Sequence, residues 1–179
     1  MSNDVTPSKS YLFFGVLFGL LMILSFVLIY ILDIDPVENR TIGTTSSIAN
    51  YFLFPIIFIA LGCINFKKNN GGLISLGASL KVGVSIAFVG ALILSLFSVI
   101  FNILFPEYID EILSQTRQIM MKSNPNLTTE QLESAVEMTR KFSSPIFSVP
   151  ITLLLFSFLG LIYSLIIGLV VKKDNLQSY

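Results

Sequence analysis

Four long apolar runs, Tyr11–Leu32, Ile48–Phe66, Val82–Leu104 and Ile146–Val171, constrain what this chain can fold into. At about 1.5 Å of rise per residue, each is about long enough to cross the ~30 Å hydrocarbon core of a bilayer as a helix. None has Asp, Glu, Lys, Arg or His in its interior. The expected fold is all-α: an integral membrane four-helix bundle, one domain over residues 1–179.

Composition points the same way. Hydrophobic residues make up 54% and charged residues 12%, against about a quarter charged in soluble domains. A mean hydropathy of +0.82 leaves too little polar surface to cover a water-soluble globule. Net charge is zero, so the basic footprint of a nucleic-acid partner is missing. Cys63 is the only cysteine; it cannot form an intramolecular disulfide and reads as a small apolar residue at a helix contact. The chain has no histidine. That excludes haem ligation by His, the usual zinc catalysis and Ser-His-Asp chemistry, and no cofactor is expected.

The first run is not a signal peptide. Lys9 precedes it as an n-region would, but the run is longer than an h-region of about 7–15 residues. It ends in Asp33-Ile34-Asp35-Pro36 rather than a small-x-small cleavage site. An uncleaved first membrane helix is expected.

Basic residues set the orientation. Lys9, then Lys67, Lys68 and Lys81, then Lys172 and Lys173 flank alternate span ends. The first loop, 33–47, carries Asp33, Asp35 and Glu38 against Arg40. The third, 105–145, carries six acids against Arg117, Lys122, Arg140 and Lys141. Four spans with both termini in the cytoplasm satisfy every segment.

Small residues recur four apart within the spans: Gly15 and Gly19 in the first, Gly83, Ala87, Ala91 and Ser95 in the third, Gly160, Ser164 and Gly168 in the fourth. Such stripes let two backbones approach closely where lipid supplies no hydrophobic drive. The third and fourth stripes are expected to pack within the chain. That leaves Gly15 and Gly19 free for a homodimer. Pro55 withholds one N–H inside the second span, and a local kink is expected there. Serine and threonine hydroxyls within the spans can bond their own preceding turn and need no partner. With no carboxylate at membrane depth, a proton- or sodium-coupled transporter is disfavoured.

The loop 105–145 is the only sizeable polar part. Pro106 suits the first turn of a helix, with Glu107, Asp110 and Glu111 on one face and Ile109, Ile112, Leu113 and Met120 opposite. Ser123-Asn124-Pro125-Asn126 ends it, and Thr128 with Gln131 forms a capping box for a second helix carrying Leu132, Ala135, Val136 and Phe142. An extracytoplasmic amphipathic hairpin is expected, joined to the last span at Ser144-Pro145. Glu107, Asp110 and Glu111 are weak candidate oxygen ligands for a divalent cation, and Asp33, Asp35 and Glu38 on the same side could complete such a site. The place of the first three in a first helical turn, where acids favour the macrodipole, explains them without a metal.

Gly71-Gly72-Leu73-Ile74-Ser75-Leu76-Gly77, then Lys81-Val82-Gly83, Pro106-Glu107-Tyr108-Ile109-Asp110-Glu111, Ser144-Pro145 and the closing Gly168 to Lys173 occur in order. In these the chain resembles an uncharacterised bacterial family catalogued as domain of unknown function 4199, over nearly its whole length. The resemblance implies a single four-span domain in the bacterial inner membrane, and no activity. No catalytic residue stands out: no nucleophile has a candidate base, and Gly71-Gly72 lacks a nucleotide-binding context. A non-enzymatic interaction or accessory protein is therefore expected, with the bilayer, another membrane protein or a second copy as partner. The alternative is a small transporter or channel with a carbonyl- and hydroxyl-lined path.

Overall fold

A computed structural model describes residues 7–35 and 38–173, with side chains from Tyr11 onward. The side chain of Lys9, and Pro36 with it, therefore lies outside the described residues. Among the described residues seven α-helices follow in order: α1 (Pro7–Ile31), α2 (Arg40–Ile48), α3 (Phe54–Asn69), α4 (Leu76–Leu104), α5 (Glu107–Ser123), α6 (Thr129–Ser143) and α7 (Pro145–Val171). A π-helical turn, Ala49–Leu53, joins α2 to α3 without a break. Four continuous helical stretches, Tyr11–Ile31, Arg40–Asn69, Leu76–Leu104 and Pro145–Val171, are long and apolar enough to cross a membrane.

The second span starts earlier than its hydropathy suggests. Residues expected in the first loop, from Arg40 to Ser47, are the α2 helix. Their Thr, Ser and Gly content hides them from a hydropathy reading. The third span likewise begins at Leu76. There Ser75 Oγ accepts the Ala78 N–H at 3.2 Å, a side-chain cap for one of the four unpaired donors at a helix start. Gly71 and Gly72 reverse the chain before it with φ of 63° and 81°, a conformation that only glycine adopts without strain.

Helix α4 is the spine, packed most extensively against α7 and α1. The small-residue stripes make those crossings close. A Cβ on Gly83 would collide with Ser164 Cβ, and one on Gly160 would lie 2.6 Å from Ala87 Cβ. Gly168 meets Ser79 in the same way at 2.9 Å. Gly15 and Gly19 are not left for a second copy. A Cβ on either would fall 2.7 Å from Val89 or 2.9 Å from Ile93, so the pair seats α1 on α4. The physical reason is reciprocal: Gly90 of α4 makes room for the ring of Phe18, which is buried in the bundle.

The two ends of the bundle differ. At the end bearing the termini, Ile74 and Lys173 exchange backbone hydrogen bonds of 3.2 and 2.9 Å. Lys67 Nζ donates to the Val171 carbonyl at 2.8 Å. At the other end α5 and α6 pair through buried Leu113, Leu132 and Val136, with Arg117 and Glu133 bridging at 2.8 Å. Thr128 and Gln131 form the reciprocal capping box.

Candidate ligand-binding cavity at the hairpin end

The helices do not fill the space beneath the hairpin. Aromatic residues one helical turn apart bring Phe26 and Tyr30 of α1 to Phe97 and Phe101 of α4 and to Phe105 just past its end. Phe26 and Tyr30 each meet the Phe101 ring edge-on at 5.0 Å between centroids. Tyr108 then wedges in from α5, edge-on to Phe26, Phe101 and Tyr30 at 5.5, 5.3 and 6.0 Å. This aromatic knot anchors the start of the hairpin and props α5 away from α2 and α7.

The result is a cavity of about 540 Å³ walled by α1, α2, α4, α5 and α7, inside the size range of small-molecule sites. Its floor is apolar: Met22, Leu94, Leu155 and Phe156. Below that, Phe18, Ala91 and Phe156 form one buried cluster, and Ile59, Cys63, Val82 and Ile86 belong to a second. The α2 wall is polar and narrow-sided, with Gly43, Ser46, Ser47 and Asn50 on one helical face. Asp33 and Glu111 stand on the wall as its only charged side chains among the described residues, and both are exposed, so they mark the mouth. A side chamber of about 200 Å³, lined by Ser95, Ser98, Ser148 and Val149, shares Phe26, Leu94 and Thr152 with the main one.

Two polar atoms in these walls are buried without a hydrogen-bond partner: Asn50 Oδ1 and Ser95 Oγ. Ser95 does not bond the turn before it, unlike Ser25, whose hydroxyl donates to the Leu21 carbonyl at 3.0 Å. Leaving a buried polar atom unpaired costs about 1–3 kcal/mol, which in native proteins is rare enough to want a cause. Asp33 adds a third oddity. It sits at φ 50°, just past α1, where Asp33 N–H bonds Tyr30 O and Ile34 N–H bonds Ile29 O, each at 3.1 Å. This is the left-handed stop that glycine usually occupies.

Electrostatics around the knot follow from burial. The Tyr108 hydroxyl is pushed above its ordinary pKa, first by desolvation and then by the nearby Glu111 carboxylate and Tyr30. The three acids of α5 do not act together. Asp110 turns to Arg140 of α6 at 3.7 Å, Glu111 lines the cavity, and Glu107 is exposed. Among the described residues, no group of three His, Cys, Asp or Glu side chains is placed to hold a metal. Of the stripe residues, Gly15, Gly19, Gly83, Ala87, Ala91, Gly160, Ser164 and Gly168 all serve helix contacts rather than the cavity. The cavity residues escape a sequence reading because each looks ordinary in its own segment. Asn50, an amide within an apolar run, is the one signal that could have found them.

The fold and cavity define a four-helix membrane protein with an acid-mouthed chamber at one end. The chain belongs to the family described as protein of unknown function (DUF4199), which it matches over residues 13–173. No curated protein and no solved structure matches it.

Proposed function

We propose that this is a non-enzymatic binding or accessory protein of the bacterial inner membrane, whose cavity engages its partner molecule. The observation that carries this reading is the close packing beneath the cavity. Its floor rests on the closely packed Phe18, Ala91 and Phe156, and the α4–α7 crossing beyond, at Gly83 and Gly160, leaves no room for an added methyl. A transporter or channel needs a polar route past this plug. A catalyst needs a nucleophile beside a base. The one thiol, Cys63, is buried against α4, with Sγ 3.8 Å from the Ser79 carbonyl, and the cavity acids have no histidine to work with.

The basic residues of the terminal end and the acids of the hairpin end support a cytoplasmic location for both termini, with hairpin and cavity outside. In a Cys63→Ala background, Ser123→Cys is expected to react with an impermeant thiol reagent on intact cells and Asn69→Cys only after lysis. The reverse pattern overturns the orientation. Pure protein in proteoliposomes is expected to pass no solute or ion above empty vesicles. Reproducible flux above that of empty vesicles would replace the binding reading with a transport one.

A further inference from the structure

Resting on the binding reading above, we propose that the hairpin-end cavity takes an organic ammonium: a cationic amine carrying an apolar flank. Three features of the chamber converge on that chemistry. Its mouth holds two carboxylates, Asp33 and Glu111, and among the described residues no Lys or Arg lines it. An anion is therefore repelled, and a neutral apolar molecule leaves both charges unused. Phe26, Tyr30, Tyr51 and Tyr108 are among its lining residues, and aromatic rings attract a cation when water is kept out. The floor of Met22, Leu94 and Leu155 is apolar, so the molecule that fits is amphiphilic rather than a hydrated ion.

A bare metal cation is a poor match. It needs several oxygens closing at about 2.3–2.6 Å, and no three His, Cys, Asp or Glu side chains among the described residues are placed to hold one. The left-handed backbone at Asp33 fits the same picture. Glycine would hold that stop with less strain, whereas aspartate keeps a negative charge at the rim, and strain retained at a rim residue is common where ligands bind.

The same ammonium chemistry is offered by an aminolipid headgroup, such as phosphatidylethanolamine, and by a free amphiphilic amine. The test uses full-length protein purified in a neutral maltoside detergent. Calorimetric titration compares hexyltrimethylammonium and hexylammonium with two probes of similar size, hexyl sulfate and the uncharged 1-heptanol. Saturable binding of the ammonium probes, at least tenfold tighter than either control, is the expected result. The Asp33→Asn/Glu111→Gln double variant is expected to weaken it at least tenfold while eluting and melting like the parent. Equal binding of hexyl sulfate or heptanol, or no binding of the cations, overturns the proposal on the parent protein alone. Unchanged affinity in a folded double variant overturns it as well. Native mass spectrometry then separates the sources. Retention of phosphatidylethanolamine over phosphatidylglycerol by the parent, lost in the double variant, assigns the site to lipid; ammonium binding with no retained aminolipid assigns it to a free amine. Failure of the binding reading is seen separately, as flux across proteoliposomes, and does not depend on any of these titrations.

Discussion

The hydroxyl of Tyr163 on α7 donates to the backbone carbonyl of Tyr51 at 2.9 Å. Tyr51 is four residues before Pro55, so in α-helical register its carbonyl is the one to which proline cannot give an N–H. A side chain from another span thus repairs the backbone where the second span is interrupted. In lipid such a repair is required, since no water reaches the orphaned oxygen.

This pairing predicts a coupling. Tyr163→Phe is expected to destabilise the protein by about 1 kcal/mol, the usual worth of a hydrogen bond between membrane helices. In a Pro55→Ala background, where residue 55 regains its N–H, the same change should cost less than half as much. Thermal or denaturant midpoints in detergent for the four proteins of the cycle decide it. Equal costs in both backgrounds would mean that the hydroxyl serves another role.

The glycine stripes predict opposite outcomes at neighbouring sites on α4. Gly83→Ala drives a methyl into Ser164 and should cost about 1–3 kcal/mol by overpacking. A Cβ added at Gly77, by contrast, would meet nothing within 4 Å, so Gly77→Ala should be neutral or stabilising by up to about 1 kcal/mol. Gly15→Leu, which would press into Val89, should destabilise the monomer. Melting curves of the purified variants test all three; a dimer lost with an unchanged monomer in Gly15→Leu would contradict the α1–α4 crossing.

Tyr108 predicts a loss of stability in alkali. Its pKa is raised in the folded protein, by burial first and by Glu111 next, so the fold favours the neutral phenol. That contribution is complete below the ordinary tyrosine value of about 10 and fades as pH rises through the higher folded value. As pH rises above about 10 the parent should lose more stability than Tyr108→Phe does. Parallel slopes of melting temperature against pH in the two proteins would refute it.

Asp33 predicts a trade between stability and binding. Asp33→Gly relieves a left-handed aspartate and should stabilise by about 0.5 kcal/mol, while removing a rim charge. Asp33→Asn should leave stability within about 0.5 kcal/mol, because asparagine tolerates the same backbone. A marked loss of stability in Asp33→Gly, read from its melting curve, would show that the carboxylate itself braces the loop.

Much of this architecture can be read from local signals. The spans announce themselves because every charge is excluded over about twenty residues. The Thr128 cap and the Gly71-Gly72 reversal depend only on near neighbours in the chain. What sequence reading misses is set by elements far apart in the chain. The partner of Gly15 and Gly19 is decided by which helix lies beside α1, and a stripe carries no address. The helix Arg40–Ile48 escapes because its Thr and Ser residues are poor helix formers and add little hydropathy. The cavity escapes because Met22, Tyr108 and Thr152 come from three different helices and Asn50 from the turn that ends a fourth. Serine is ordinarily self-sufficient in a membrane helix; Ser95, with no partner, departs from that rule.

The π-helical turn at Ala49–Leu53 works as a phase shifter. Cavity-lining positions Gly43, Ser47, Asn50 and Tyr51 would, in an unbroken α-helix, continue through positions near 54, 58 and 61. The residues that α3 buries are instead Pro55, Ile59, Gly62 and Cys63, one step later. The wider turn absorbs that extra residue, so the polar wall above and the apolar seam below face the same way. Deleting a single residue there would regularise the hydrogen bonding yet swing the wall by about 100° about the helix axis. In this stretch, insertion and deletion, more than substitution, are the events that would rewrite what the chamber recognises.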